Sequence, residues 1–338
     1  MRTIFLSSVV WRLTLAAIYV LIAVPSASPM FAQETTCKIR TVIANVSGPD
    51  GKLIRGLSAA DFQAKLRGKP VAIRLATVNE QGRQILILLN MYGSMRMFYG
   101  NSGVLDIPMV RSLIRHDSAN SRFALATFSY DFQTVVPFTN DPQRIANRIS
   151  TLKLDTPQPG DPRLSKLVPR RTFWEVILDA VQVFQPPNQG DVIYAVTNGA
   201  GSREQTSLAQ ARESLLDKGV RLFALIVADT DAPPLFVEGP REVEAVARQT
   251  GGDSINSKVG ALFAGNSKPS RADLETFEAE LRQLNNKMDA FYEIQVELPE
   301  DVDKPREWEL KLRDEKAAKH NKLTLSYPRE LLPCQTRR

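Results

Sequence analysis

Apolar residues along this chain follow two patterns. From Ile85 to Val227 they come in unbroken runs, Ile85-Leu86-Ile87-Leu88-Leu89, Phe123 to Phe128, Val192 to Val196 and Leu222 to Val227. Strands buried on both faces read this way, because helices cover the sheet above and below. Between the runs, amphipathic stretches predict helices over about Leu105–His116, Pro142–Leu152, Thr172–Phe184, Ser207–Lys218 and Arg241–Thr250, and Gly219 and Gly251 supply stops after the last two. Strand alternating with helix predicts an α/β fold, a doubly wound, mostly parallel sheet over residues 81–266. Tyr130-Asp131-Phe132 joins two strand-like runs so closely that one antiparallel edge strand is expected.

The flanks alternate instead. Val42–Val46 is strand-like, Gly48-Pro49-Asp50-Gly51 and Leu66-Arg67-Gly68-Lys69-Pro70 are turn signals, and Ser58 is placed to cap a short helical turn. After Asn266-Ser267-Lys268-Pro269 a helix is expected through Met288, followed by half-buried strands at Tyr292–Leu298, Trp308–Leu312 and Leu323–Ser326. The economical arrangement is a β sandwich made of an N-terminal β segment, 33–80, and a C-terminal one, 291–338. The α/β domain is inserted between them, and residues 267–290 form a helical connector.

Residues 1–32 carry Arg2 and Arg12, no acid, an apolar run from Leu13 to Val24, and a small-residue stretch ending at Phe31-Ala32. This is the pattern of a secretory signal peptide. A run of about a dozen residues is short for a membrane span, which takes roughly 20, so cleavage near Ala32 and no stable span thereafter are expected. The formal charge of +6 raises nucleic acid as a partner. Removing Arg2 and Arg12 lowers it to about +4 over a long chain, which argues against one. Two cysteines and two histidines, widely separated, exclude a structural zinc cluster. An extracytoplasmic compartment lets Cys37 and Cys334 pair, and no lipidation pattern precedes Cys37. Such a bridge would lie near the two ends of the expected sandwich and close a loop worth up to about 5 kcal/mol. Two buried, unpaired thiols are the alternative.

In an open α/β sheet ligands bind beyond the carboxyl ends of the strands. The first such loop reads Asn90-Met91-Tyr92-Gly93-Ser94-Met95, and later come Arg171-Thr172-Phe173-Trp174 before a helix and Thr197-Asn198-Gly199 at a strand end. In order and spacing these segments resemble the three metal-site loops of von Willebrand factor type A domains, Asp-x-Ser-x-Ser, a threonine loop and Thr-Asp-Gly. The segments Ile54–Phe62 and Gly68-Lys69-Pro70 resemble the β segment that leads into such domains in secreted bacterial proteins. The resemblance implies a site in which two aspartates, two serines and a threonine surround a divalent cation that receives a partner's carboxylate. Ser94 and Thr172 match. Asn90 stands for the first aspartate, Tyr92 for the first serine and Asn198 for the second aspartate, so two negative charges are lost and a ring crowds the position. Hard cations need charged oxygen ligands, and no bound metal or other cofactor is expected.

Two readings of the loop remain. In one, Ser94 caps the following segment and Asn90 satisfies backbone groups. In the other, the face binds a partner without metal, using Arg96, Arg170 and Arg171 as carboxylate forks, with Tyr92, Phe98, Tyr99 and Trp174 as aromatic anchors. Core packing competes for Trp174. No Gly-x-Ser-x-Gly elbow or phosphate loop is present. His116 and His320 fall away from predicted strand ends, and Asp131, Asp155 and Asp161 are unspecific as a carboxylate pair. The expectation is therefore a secreted or periplasmic, non-catalytic module that binds a protein or cell-envelope component. The alternative is an envelope assembly protein with an inert face.

Overall fold

The computed structural model describes residues 38–92, 95, 112–114, 121–154, 171–199, 205–227, 238–256 and 270–334. The expected signal peptide, most of the helix expected at Leu105–His116, and residues Cys37, Ser94, Arg96, Phe98, Tyr99, His116, Asp155, Asp161 and Arg170 lie outside them.

One sheet collects the unbroken apolar runs. Strands β4 (Gln84–Asn90), β5 (Arg122–Phe128), β6 (Phe132–Thr139), β7 (Val192–Thr197), β8 (Arg221–Ile226) and β9 (Asp253–Asn256) lie in the order β6-β5-β4-β7-β8-β9. Every neighbouring pair is parallel except β5–β6, which is the antiparallel hairpin. Alternate residues of each strand enter different cores. Ile85, Ile87 and Leu89 pack with Ile145 and Ile149 of α1 (Pro142–Ile149) and with Phe277, Leu281, Leu284 and Met288 of α5 (Arg271–Asp289). Leu86 and Leu88 pack on the other face with α2 (Phe173–Gln182), α3 (Gln205–Lys218) and α4 (Glu238–Gln249), through residues such as Val176, Leu215 and Val243. Two buried faces explain the absence of alternation in these strands. The chain runs outward from β4 through β5 and β6, then returns to the far side of β4 as β7. This reversal places the carboxyl ends of β4 and β7 side by side, the usual location of a ligand crevice.

The flanks form the second sheet. Strands β1 (Ile39–Ser47), β2 (Phe62–Leu66), β3 (Lys69–Asn79), β10 (Phe291–Glu297), β11 (Arg306–Leu312), β12 (Thr324–Ser326) and β13 (Glu330–Leu331) lie in the order β12-β1-β10-β3-β2-β11-β13, and all pairs are antiparallel. A short 3-10 turn, Ala59–Asp61, follows the Ser58 cap, and a one-and-a-half-turn helix, α6 (Glu315–His320), links β11 to β12.

Two parts of the expected fold class are corrected here. The α/β sheet is mixed, and seven of the thirteen strands among the described residues belong to the antiparallel sheet, so a mostly parallel description fits only part of the molecule. The expected β sandwich is instead one curled sheet: β10 inserts between β1 and β3, and inward residues of β1 and β11, among them Val42, Ala44, Trp308 and Leu310, share a single core. Period-two alternation says only that one face of a strand is buried. It does not say whether the buried faces belong to two stacked sheets or to one that curls onto itself.

The two sheets meet at a buried polar joint below the amino ends of the parallel strands. Arg221 is fully buried, donates to the carbonyl oxygens of Gly190 (3.2 Å) and Met288 (3.1 Å), and stacks 4.8 Å from the Phe291 ring. Arg83 donates to the Asp289 carbonyl. Together the two arginines satisfy carbonyls at the end of α5 that have no partner within the helix. Asp191 accepts from the backbone N–H groups of Gln84 (2.8 Å) and Asn188 (2.7 Å), fastening β4 to β7. Gly190 has a φ of +93°, and a Cβ there would lie 2.3 Å from the Phe291 ring, so no larger residue fits.

Candidate functional site

Asn90 ends β4 and is fully buried; Asn198 follows β7 and is half-buried. Their strands are parallel neighbours, with Leu89 opposite Val196, which brings the two amides together. Asn90 Nδ2 donates to Asn198 Oδ1 at 3.0 Å and points to Thr197 Oγ1 at 3.5 Å. Thr197 Oγ1 also accepts from the Gly199 N–H at 3.0 Å, and Asn90 Oδ1 accepts from the Tyr92 N–H at 3.0 Å. Thus both polar ends of the Asn90 side chain are already used within the protein.

Tyr92 ties this loop to the next. Its hydroxyl donates to the Arg171 carbonyl at 3.3 Å, and its ring sits edge-on to Phe128 and Tyr130, with centroids 6.4 and 5.8 Å away. Thr172 caps α2 in a reciprocal box: its Oγ1 accepts from the Glu175 N–H at 3.2 Å, and its own N–H donates to Glu175 Oε2 at 2.7 Å. Of the five expected positions, Asn90 is bonded to Asn198 and Tyr92 to the residue before Thr172, while Ser94 lies outside the described residues.

Two of the expected partner contacts are otherwise employed. Arg171 Nη2 donates to Asp179 Oδ2 at 2.6 Å, with Glu175 Oε2 3.9 Å from its Nε, so acids of α2 already hold this guanidinium. Trp174 is wholly buried, edge-on to Phe173 at 5.0 Å, and so supplies helix packing instead of an exposed anchor. Arg96 and Arg170 lie outside the described residues. Nothing local marks the part played by Thr197, whose hydroxyl links Asn90 to Gly199. The Thr-Asn-Gly segment marked the place but not the hydrogen bond.

The residues present do not fit a divalent cation. Such an ion takes about six to eight oxygens and favours charged ones, whereas Asn90 turns amide hydrogens inward and the described loop residues offer neutral oxygens already engaged. Among the described residues no three His, Cys, Asp or Glu side chains cluster. His320 ends α6 and Asp131 sits at the β5–β6 turn, both exposed and far apart in the fold order.

No protein-family model matches the chain. Its fold is similar to that of several solved structures. A von Willebrand factor type A protein from Catenulispora acidiphila is 12% identical, with 89% of this chain and 74% of that one covered and a TM-score of 0.42. BatB, a conserved hypothetical protein from Bacteroides thetaiotaomicron, is 15% identical, covers 60% and 98%, and has a TM-score of 0.37. An aerotolerance-related membrane protein from Bacteroides fragilis is 17% identical, covers 61% and 100%, and has a TM-score of 0.39. Among the described residues of this chain, no helix is long and apolar enough to cross a membrane.

Proposed function

We propose that this chain is an extracytoplasmic, non-catalytic interaction module of the von Willebrand factor type A kind. Its metal site is degenerate, and it engages a protein or envelope component through the carboxyl-end face without a bound ion. The observation that carries this reading is the Asn90–Asn198 amide pair, which stands at the strand-order reversal and closes on itself where the resemblance calls for two aspartates. A neutral, hydrogen-bonded floor removes the electrostatic reason for a cation and leaves shape and polar contacts for recognition. The flanking β sheet serves as the platform, and export through the N-terminal leader places the molecule outside the cytoplasm.

Capture from an envelope extract tests the reading. The wild-type protein should retain the same partner in EDTA and in added Mg²⁺, and Asn198→Arg, which projects a cation from the half-buried position, should lose it while keeping the native circular dichroism spectrum. Capture that requires the metal, or that ignores Asn198→Arg, contradicts the proposal.

A further inference from the structure

Strand β1 keeps one edge unpaired over much of its length. It pairs with β10 from Ile39 to Ala44 but with β12 only from Asn45 to Ser47. Beyond β12 the chain leaves β1: Pro328 bridges to Thr250, the Arg329 N–H donates to the Gln249 carbonyl at 3.0 Å, and β13 joins β11 at the other end of the sheet. In an antiparallel ladder, alternate residues turn their backbone groups to opposite neighbours. The Leu298 N–H donates to the Lys38 carbonyl at 2.8 Å, so the even-numbered residues of β1 face β10, while Ile39, Thr41 and Ile43 face the gap. Among the described residues nothing accepts from the N–H of Thr41 or Ile43, and the Thr41 carbonyl is met by the amide of the exposed Gln189 side chain at 3.0 Å.

The gap is a cleft of about 210 Å³ that follows β1 from Arg40 to Ile43 and is walled by Leu216, Val220, Leu332 and Pro333. This is below the roughly 300–1,000 Å³ of pockets for compact small ligands, and one wall is a strand edge, which another extended backbone matches along its length. Two further observations point the same way. Arg40 reaches across the cleft to the Leu332 carbonyl at 3.4 Å, while its Nε is buried with no acceptor among the described residues. Ile39, next along the edge, is 49% exposed, one of three large apolar residues so exposed among the described residues. Gln189 and Gly219 place the cleft at the amino ends of β7 and β8, away from the carboxyl-end face.

We infer that this edge is a strand-addition site, which takes an extended segment of a partner polypeptide with β-branched apolar residues at alternate positions, antiparallel to β1 and in line with β12. The main chain of that segment bonds to Thr41 and Ile43 and displaces the Gln189 amide, and its apolar side chains cover Ile39 on the outer face. The inference is independent of the carboxyl-end reading and survives its failure.

Fluorescence anisotropy with the labelled peptide Gly-Val-Thr-Val-Thr-Val-Gly tests it, together with hydrogen exchange. The peptide should bind, and N-methylation of its central Val, whose N–H faces Thr41, should weaken binding about tenfold, the scale of one lost hydrogen bond. N-methylation of either Thr, whose N–H turns away from β1, should weaken it by no more than about threefold. Thr41→Pro removes an edge donor without touching a bond to β10, and should lose the same factor of about ten with a native circular dichroism spectrum; if it does not fold, the two methylated peptides decide on the wild-type protein. Bound peptide should slow exchange of the Thr41 and Ile43 amide hydrogens and leave those of Val42 and Ala44 unchanged. No binding at millimolar peptide, equal weakening by the Val and Thr methyl groups, full binding by folded Thr41→Pro, or unchanged exchange at Thr41 overturns the inference. So does a concentration-dependent dimer that excludes the peptide, which gives the edge to a second copy of the chain.

Discussion

Single side chains decide whether the crevice is charged or neutral and whether the two sheets stay joined. Asn90 and Asn198 pair as a donor and an acceptor that satisfy one another. At the joint the opposite holds, because a carboxyl is buried there. Burial pushes Asp191 above the usual carboxylate range, while the N–H groups of Asn188 and Gln84 and the guanidinium groups of Arg83 and Arg221 pull it down without prevailing. A folded value above the unfolded one, about 3.9, means the contribution to stability is fully present below that pH and is lost as pH rises through the folded value. Asp191→Asn is neutral throughout, so its stability deficit in urea unfolding should be largest near pH 4 and shrink towards pH 7. A deficit that grows with pH would show the carboxylate to be favoured by the fold. Nothing in the sequence marked Asp191, since one aspartate before a buried strand looks like any turn residue.

The elements were largely legible. Two-faced burial leaves unbroken apolar runs, and the strands at Gln84–Asn90, Arg122–Phe128, Val192–Thr197 and Arg221–Ile226 lie where those runs stand. The Ser58 cap and the Tyr130–Phe132 hairpin were legible for a similar reason, because caps and tight turns depend on local chemistry. β9 and β13 were not: Asp253–Asn256 and Glu330–Leu331 are short, mostly polar, and strand only because a neighbour's edge is available. The pairing of β10 between β1 and β3 was also illegible, for it joins residues more than two hundred positions apart and local periodicity carries no information about partners. Of the site, the sequence positions of the loops after β4 and β7 were readable as strand ends, whereas the closure of Asn90 on Asn198 and the neutralisation of Arg171 depend on side chains brought together by the fold.

At the scale of the molecule, the joint fixes how the two sheets sit. Arg221 and Arg83 grip the end of α5, Asn45 of β1 donates to the Lys287 and Ala290 carbonyls at 3.1 and 2.8 Å, and Lys287 pairs with Asp253. The β sheet thus begins where the α/β cores end. The chain's two cysteines are Cys37 and Cys334, and a bridge between them is a proposal. Intact mass of unreduced protein from an exporting host tests export and bridge together. A chain starting near Gln33 and lighter by two hydrogens is expected; an uncleaved chain or two alkylatable thiols contradicts it.

Thermal melting with and without millimolar Mg²⁺ or Ca²⁺ tests most directly the proposal that the three loops are arranged as in a metal-dependent adhesion site but bind no ion. The native protein should melt at the same temperature in both. The variant Asn90→Asp, Tyr92→Ser, Asn198→Asp should gain metal-dependent stability, about 2.7 kcal/mol at a hundredfold excess over the dissociation constant. A folded triple variant that ignores the metal would contradict the placement of the loops, and a native protein stabilised by the metal would contradict the claim that the site is neutral.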